Sequence, residues 1–279
     1  MRKIAAALAI LALVPQFTQA NERKFTYTYE SGVLDSGQRE MEISSTFRNG
    51  RATPLNEYQY SEFDHRAELE MGLGGNLMTA FYLNWKKVVA EDTDPTTGAA
   101  LGTLTSETEF QGISSEWKLK LSDPVADTLG SALYFEAGME ANELELEGKL
   151  ILDRKFGDIL VAYNFVFEKE YAYEPGVIAE EAAIENDLGI TNFFTDHFSG
   201  GLEMRQHAEF VANMPGADPE HIALFLGPVL SYAGSNWWVT ATCLFQLPAL
   251  QKSTADPGRA LVLDEHEKIN ARLILSWAI

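Results

Sequence analysis

The sequence predicts an all-β fold: a single closed antiparallel transmembrane β-barrel of about twelve strands, with short periplasmic turns and longer extracellular loops. Three observations predict it. The chain opens with the layout of an export signal. Apolar and polar residues then alternate with period two in segments of about ten residues, as they do when one face of a strand meets lipid and the other a lumen. The connections between segments alternate between short and long, which is what a barrel inserted from the periplasm shows.

Arg2 and Lys3 precede an apolar run from Ile4 to Val14, and Thr18-Gln19-Ala20 places small residues third and first before a cut. That run is well short of the roughly 20 apolar residues that a membrane-crossing helix needs. Residues 1–20 therefore read as a signal peptide cleaved after Ala20, and the mature chain as exported to the bacterial outer membrane. One cysteine, Cys243, excludes an internal disulfide framework. No later stretch is apolar for long enough to form a transmembrane helix, so any crossing is made by strands. The net charge of −20 disfavours nucleic acid, which such a chain repels.

Residues 21–37 hold a strand-like segment, Phe25-Thr26-Tyr27-Thr28-Tyr29, read as a periplasmic lead-in or a strand that plugs or laps the barrel. The barrel itself spans 38–279. Phe63, Ala67, Leu69, Met71 and Leu73, with His65, share one face, and Glu62, Asp64, Arg66, Glu68 and Glu70 the other. After Gly74-Gly75-Asn76, Leu77, Phe81, Leu83 and Trp85 oppose Tyr82, Asn84 and Lys86. The pattern recurs with Trp117 and Leu119 against Glu116 and Lys118, and with Leu133 and Phe135 against Glu136. Leu144, Leu146 and Leu150 then oppose Glu145, Glu147 and Lys149. Ile159 to Phe167 follow, and then Leu202, Met204 and Ala208 against Glu203, Arg205, His207 and Glu209. Trp237 to Leu247 come next, and Leu273, Leu275 and Trp277 oppose Arg272. Segments 184–195 and 221–233 fit the alternation less well, the latter carrying Gly227-Pro228, a signal for a bulge or irregular wall. Short turns are expected near 73–76, 122–128, 154–158, 196–200 and 233–236. Longer loops are expected near 49–59, 88–106, 171–183, 213–220 and 249–263.

A soluble β-sandwich or small barrel also alternates, but it fills its interior with apolar side chains. Here nearly every strand opposes an apolar face to a charged one. The final strand ends flush with the C-terminus, with Trp277 near the end and Ile279 where outer-membrane proteins usually carry an aromatic for the barrel-assembly machinery.

Two stretches resemble an uncharacterised family of Gram-negative outer-membrane barrels. One is Phe25-Thr26-Tyr27-Thr28-Tyr29-Glu30 with Leu34, Gly37 and Glu40-Met41-Glu42. The other is Phe63 to Gly72 running into Ala80 to Asn84, with Leu226-Gly227-Pro228 later. The chain is similar, more loosely, to porin-like barrels assigned to uptake of aromatic compounds. Neither resemblance implies a catalytic residue.

The charged inward faces are the one chemistry-bearing constellation. Glu40, Glu42, Glu62, Asp64, Arg66, Glu68, Glu70, Lys86, Glu116, Lys118, Glu136, Glu145, Glu147, Lys149, Glu203, Arg205, Glu209 and Arg272 are the candidate lumen-lining residues. They form either an aqueous path for small polar or cationic solutes or a packed network of ion pairs that closes the barrel. The first reading is a porin-like channel using passive diffusion and no cofactor; the second is a closed structural or surface barrel. A third is an outer-membrane lipid-modifying enzyme, for which Ser61 and His65 have suitable residue types but no diagnostic spacing. Asp264-Glu265-His266-Glu267 is an acidic stretch that reads as a solvated loop, and no metal site is assigned. Lipid, lipopolysaccharide, the assembly machinery and small solutes are the expected partners.

Overall fold

A computed structural model of the chain describes residues 21–53, 57–94, 96–211 and 218–279. The expected signal peptide, and most of the loop expected at 213–220, lie outside the described residues. Twelve strands form one antiparallel sheet that closes on itself. They are β1 (Arg39–Asn49), β2 (Tyr60–Gly74), β3 (Leu77–Thr93), β4 (Ala100–Ser122), β5 (Gly130–Met139), β6 (Glu143–Phe156), β7 (Ile159–Glu174), β8 (Val177–Phe193), β9 (Phe198–Val211), β10 (His221–Ala233), β11 (Trp237–Gln251) and β12 (Ile269–Ala278). Each strand pairs with its sequence neighbours, and β1 closes the ring on β12 in the register Met41 to Trp277. Ile279 N–H donates to the Arg39 carbonyl (3.0 Å), so the first and last strands start and finish at one end, here called the terminal end.

The side-chain period fixes which face is wet. Large apolar residues at Phe81, Leu83, Trp117, Leu133, Phe135, Phe165, Leu202, Phe245 and Leu273 lie exposed on the outside. Glu40, Glu42, Glu68, Glu116, Glu136, Asp187 and Glu203 are buried on the inside. A soluble protein does the reverse; a barrel in lipid requires this arrangement. The shortest strands, β5 and β12, have 10 residues. At about 3.3 Å per residue and a tilt near 40° they rise about 25 Å, the height of an outer-membrane apolar band.

The turns at the terminal end are short, and residue chemistry sets them. Between β2 and β3, Gly75 and Asn76 both have positive φ (62° and 66°), as mirror-image hairpin turns demand. The loop end departs from expectation in two places. Residues 88–106 and 171–183, expected as loops, are mostly strand: β3 runs to Thr93 and β4 begins at Ala100, while β7 and β8 meet across only Pro175-Gly176. These stretches stand beyond the apolar band with both faces wet. Backbone pairing persists there, but the apolar period that signals a strand is lost.

Residues 21–37 form a re-entrant segment inside the ring. Asn21 N–H donates to Glu40 near the terminal end, and Tyr27 reaches a pocket of Ala223, Phe225, Leu244 and Val262. The chain returns to the terminal end at Gly37, whose N–H donates to the Gly72 carbonyl (2.9 Å). Phe25, Thr26 and Thr28 are fully buried.

The interior therefore has two parts: this segment packed on one wall, and a charged space on the other. The segment also explains why 184–195 and 221–233 read poorly. Inward positions of β10 are Ala223, Phe225 and Val229, apolar because Tyr27 and Phe25 pack on them. On β8 the inward Gly189 leaves room for Phe25, since a Cβ there would stand 2.5 Å from the ring.

Candidate functional site

The floor of the lumen is built on Glu203 of β9. Its Oε1 accepts the backbone N–H of Tyr27 and Thr28 (both 2.7 Å), and its Oε2 accepts Thr26 N–H (3.2 Å) and the Thr242 hydroxyl (2.7 Å). Three successive amides converging on one fully buried carboxylate make charge-assisted bonds, which are stronger than neutral ones. Asn164 of β7 takes both sides of Tyr29, accepting its N–H (2.6 Å) and donating to its carbonyl (2.9 Å). Asp153 of β6 accepts Ser31 N–H (3.1 Å), and the Thr240 and Ser231 hydroxyls donate to the Arg23 carbonyl (2.6 and 3.2 Å). Side chains of these five strands, with Glu40 of β1 and Arg272 of β12, thus satisfy a backbone that has no ladder of its own, as buried peptide groups require. The three aromatics of Phe25-Thr26-Tyr27-Thr28-Tyr29 take separate apolar seats, Tyr29 lying against Ala132, Tyr134 and Ile151.

Beside this floor lies a cavity of about 640 Å³. The re-entrant segment contributes Arg23, Thr26, Tyr27 and Tyr29 to it, and the wall contributes residues of β1 to β9 and β12 but none of β10 or β11. Carboxylates outnumber cationic groups around it. Arg48 bridges Asp64 (3.0 Å) and Glu62 (3.3 Å), Arg66 meets Glu136 (3.3 Å), Lys149 meets Glu147 (2.9 Å), and Lys86 meets Glu109 (3.3 Å). Arg272 lies over the Tyr27 ring (3.9 Å) and Arg23 over Tyr29 (4.0 Å). Glu42, Glu68 and Glu70 bring carboxylate oxygens within 4.8 Å of one another.

The residues expected in the lumen all point inward, but they divide into three groups. Glu42, Glu62, Asp64, Arg66, Glu68, Lys86, Glu136, Glu145, Glu147, Lys149, Arg205 and Arg272 line the cavity. Glu40, Glu70, Glu116, Lys118 and Glu203 are packed away from it, Glu40 and Glu203 holding the re-entrant segment. Glu209 stands apart, in a cluster with histidines.

His65 lies on the outer face, stacked between Phe63 and Trp85 (centroids 6.3 and 5.5 Å). Ser61 is four residues away on the same extended strand, about 13 Å at strand rise, so the two do not meet.

Sequence reasoning missed the second cluster, at the loop end, where His207 and Glu209 of β9, His221 of β10 and His266 of the β11–β12 connection converge. The acidic stretch 264–267 is accordingly no free loop: Glu267 is buried against Arg51 (2.6 Å) and His266 turns to the other histidines. The available signal was register, since β9 pairs His207 and Glu209 beside the start of β10.

Among solved structures, the fold is similar to an outer membrane channel from Pseudomonas putida F1 (TM-score 0.62, 10% identity, covering 92% of this chain and 100% of that one). It is also similar to the NanC porin (TM-score 0.54, 10% identity, 86% and 100%) and to the translocator domain of the autotransporter NalP from Neisseria meningitidis (TM-score 0.50, 11% identity, 87% and 88%). At these identities the likeness is one of fold. No curated protein matches in sequence. A family model described as a family of unknown function, DUF6662, matches residues 17–279.

Proposed function

We propose that this chain, which belongs to the family of unknown function DUF6662, is an outer-membrane, porin-like channel for small polar or cationic solutes, closed at rest by its own re-entrant segment. Export by a cleaved signal peptide, insertion by the barrel-assembly machinery and contact with lipopolysaccharide belong to the same reading. The observation that carries it is the cavity of about 640 Å³, acid-rich and bounded on one side by residues 23–29 rather than by the barrel wall. A barrel meant only as a filled scaffold has no use for such a space. Its excess of carboxylates favours cations over anions, and its size is that of a small-molecule site. Release of the segment joins the cavity to the terminal end without breaking any strand pairing, because residues 21–37 contribute no strand to the ring.

Planar-bilayer conductance of the refolded mature chain tests this. The intact chain should be closed or nearly so, and Glu203→Gln, or removal of residues 21–36, should give discrete channel openings. Heat-modifiable migration on gels confirms that each variant retains its barrel. Folded variants that stay silent would replace the channel with a closed structural barrel, a reading that the density of bonds around Glu203 favours.

A further inference from the structure

The loop-end cluster is built like a metal centre. The Nε2 atoms of His221 and His266 are 3.0 Å apart, and Glu209 Oε2 lies 3.7 Å from His207 Nε2 and 3.6 Å from His221 Nε2. All four donor atoms fall within 4.8 Å of one another. Four ligands at the usual bond lengths around a tetrahedral zinc ion are separated by about 3.3 Å, so the donors sit at that spacing with only small adjustments needed. The ring planes of His207 and His221 lie nearly parallel to each other (20°, centroids 6.1 Å apart), and each meets that of His266 nearly edge-on, with centroids 4.9 Å apart.

Two independent features point the same way. His207 is oriented from behind: its Nδ1 lies 2.9 Å from Glu185 Oε1, and Glu185 is in turn held by Arg205 Nε (2.7 Å). A carboxylate on the far nitrogen of an imidazole leaves Nε2 free as a lone pair and fixes the ring, the arrangement found behind metal-bound histidines. A small cavity of about 60 Å³, lined by Glu168, Glu170, Glu181, His207 and Glu209, also opens against the cluster. It gives a cation an acidic approach. We propose that His207, Glu209, His221 and His266 bind a borderline divalent transition cation, zinc above all. Three imidazoles and one carboxylate suit zinc, copper, nickel or cobalt and not the oxygen-seeking calcium or magnesium. Bound there, the ion ties the β11–β12 connection to β9 and β10 at the mouth of the barrel, whether or not the barrel conducts.

The test uses the untagged, refolded full barrel in detergent, stripped with a chelator and titrated with Co²⁺. One equivalent should give the visible absorption of tetrahedral cobalt, and Zn²⁺, but not excess Ca²⁺, should abolish it. The chain has five histidines. The double variant His65→Ala/His197→Ala should keep the signal, and His207→Ala/His221→Ala/His266→Ala should lose it while still migrating as a folded barrel. Glu185→Gln should weaken binding by about 10–100-fold, the usual effect of removing an orienting carboxylate. Absence of a tetrahedral signal in the intact chain, displacement by Ca²⁺, or a signal that survives the triple variant would each overturn the site. Should the triple variant not fold, His266→Ala alone serves, because His266 lies outside the strands.

Discussion

Gly189 shows how much of this interior rests on single atoms. Its missing side chain is the seat of Phe25: a Cβ would lie 2.5 to 2.7 Å from three carbons of a fully buried ring. Gly189→Val cannot be absorbed without moving Phe25, so it should expel the re-entrant segment while leaving the strand ladder intact. Trypsin cutting at Arg23 or Lys24 in the folded barrel reads this out; resistance equal to that of the parent chain would show that the contact is slack. Glu203 acts at the same scale in the opposite sense. Glu203→Gln removes the charge behind three amide bonds and turns an NH₂ toward N–H donors, a loss of about 2–4 kcal/mol in docking of the segment. The turn between β4 and β5 offers a third residue. Asp123 accepts the N–H groups of Val125 and Ala126 (both 2.9 Å) and pairs with Lys120 (2.6 Å). The Lys120 hydrogen bond foremost, with those two amides, holds its carboxyl down at about 2. A depressed carboxylate stabilises the fold above the ordinary Asp range, and that contribution is lost as pH falls from about 4 through 2. Carboxyl NMR should find that midpoint near 2, and Lys120→Met should raise it; a midpoint near 4 in the parent chain would mean that the turn bonds are not formed in solution.

At the level of elements, what the sequence disclosed follows from what each strand faces. Where one face meets lipid and the other charge, as in β2 or β6, the period was plain, because lipid tolerates no error of register. The inward apolar positions of β10, Phe225 and Val229, were opaque because their partners, Tyr27 and Phe25, lie some 200 residues earlier in the chain. The ends of β3, β4, β7 and β8 were opaque because water on both faces sets no period. The histidine cluster was opaque because pairing and a returning loop, not spacing, assemble it. The difference between wet and lipid-facing strand predicts unequal costs for one kind of change. Phe135 is outward near the middle of β5 and is paired with Trp117. Leu104 lies thirteen residues further along β4, about 33 Å higher at the same tilt and well above the band. Phe135→Arg should cost about 2–4 kcal/mol in urea unfolding from bilayers, and Leu104→Arg close to nothing. Equal costs would mean that the β3–β4 hairpin is itself embedded in lipid.

The whole molecule is a ring with a polar interior that its own chain half fills, and the charge left unfilled sets what the opened form should pass. Around the cavity the cationic groups are largely committed: Arg48 to Asp64 and Glu62, Arg66 to Glu136, Lys149 to Glu147, Arg205 to Glu185. Glu42 of β1 and Glu68 of β2 face the same space, with the carboxylate of Glu70 packed close behind them. A released barrel such as Glu203→Gln should therefore carry K⁺ in preference to Cl⁻. Fixed charges act over a Debye length, about 10 Å at 0.1 M salt and 3 Å at 1 M. The preference, read as a reversal potential across a KCl gradient, should be strong at low salt and shrink by several-fold near 1 M. Glu42→Gln with Glu68→Gln should reduce it at low salt without changing the conductance at high salt, because the width of the path is unaltered. An anion preference, or a cation preference indifferent to salt, would mean that the open path avoids this acidic space.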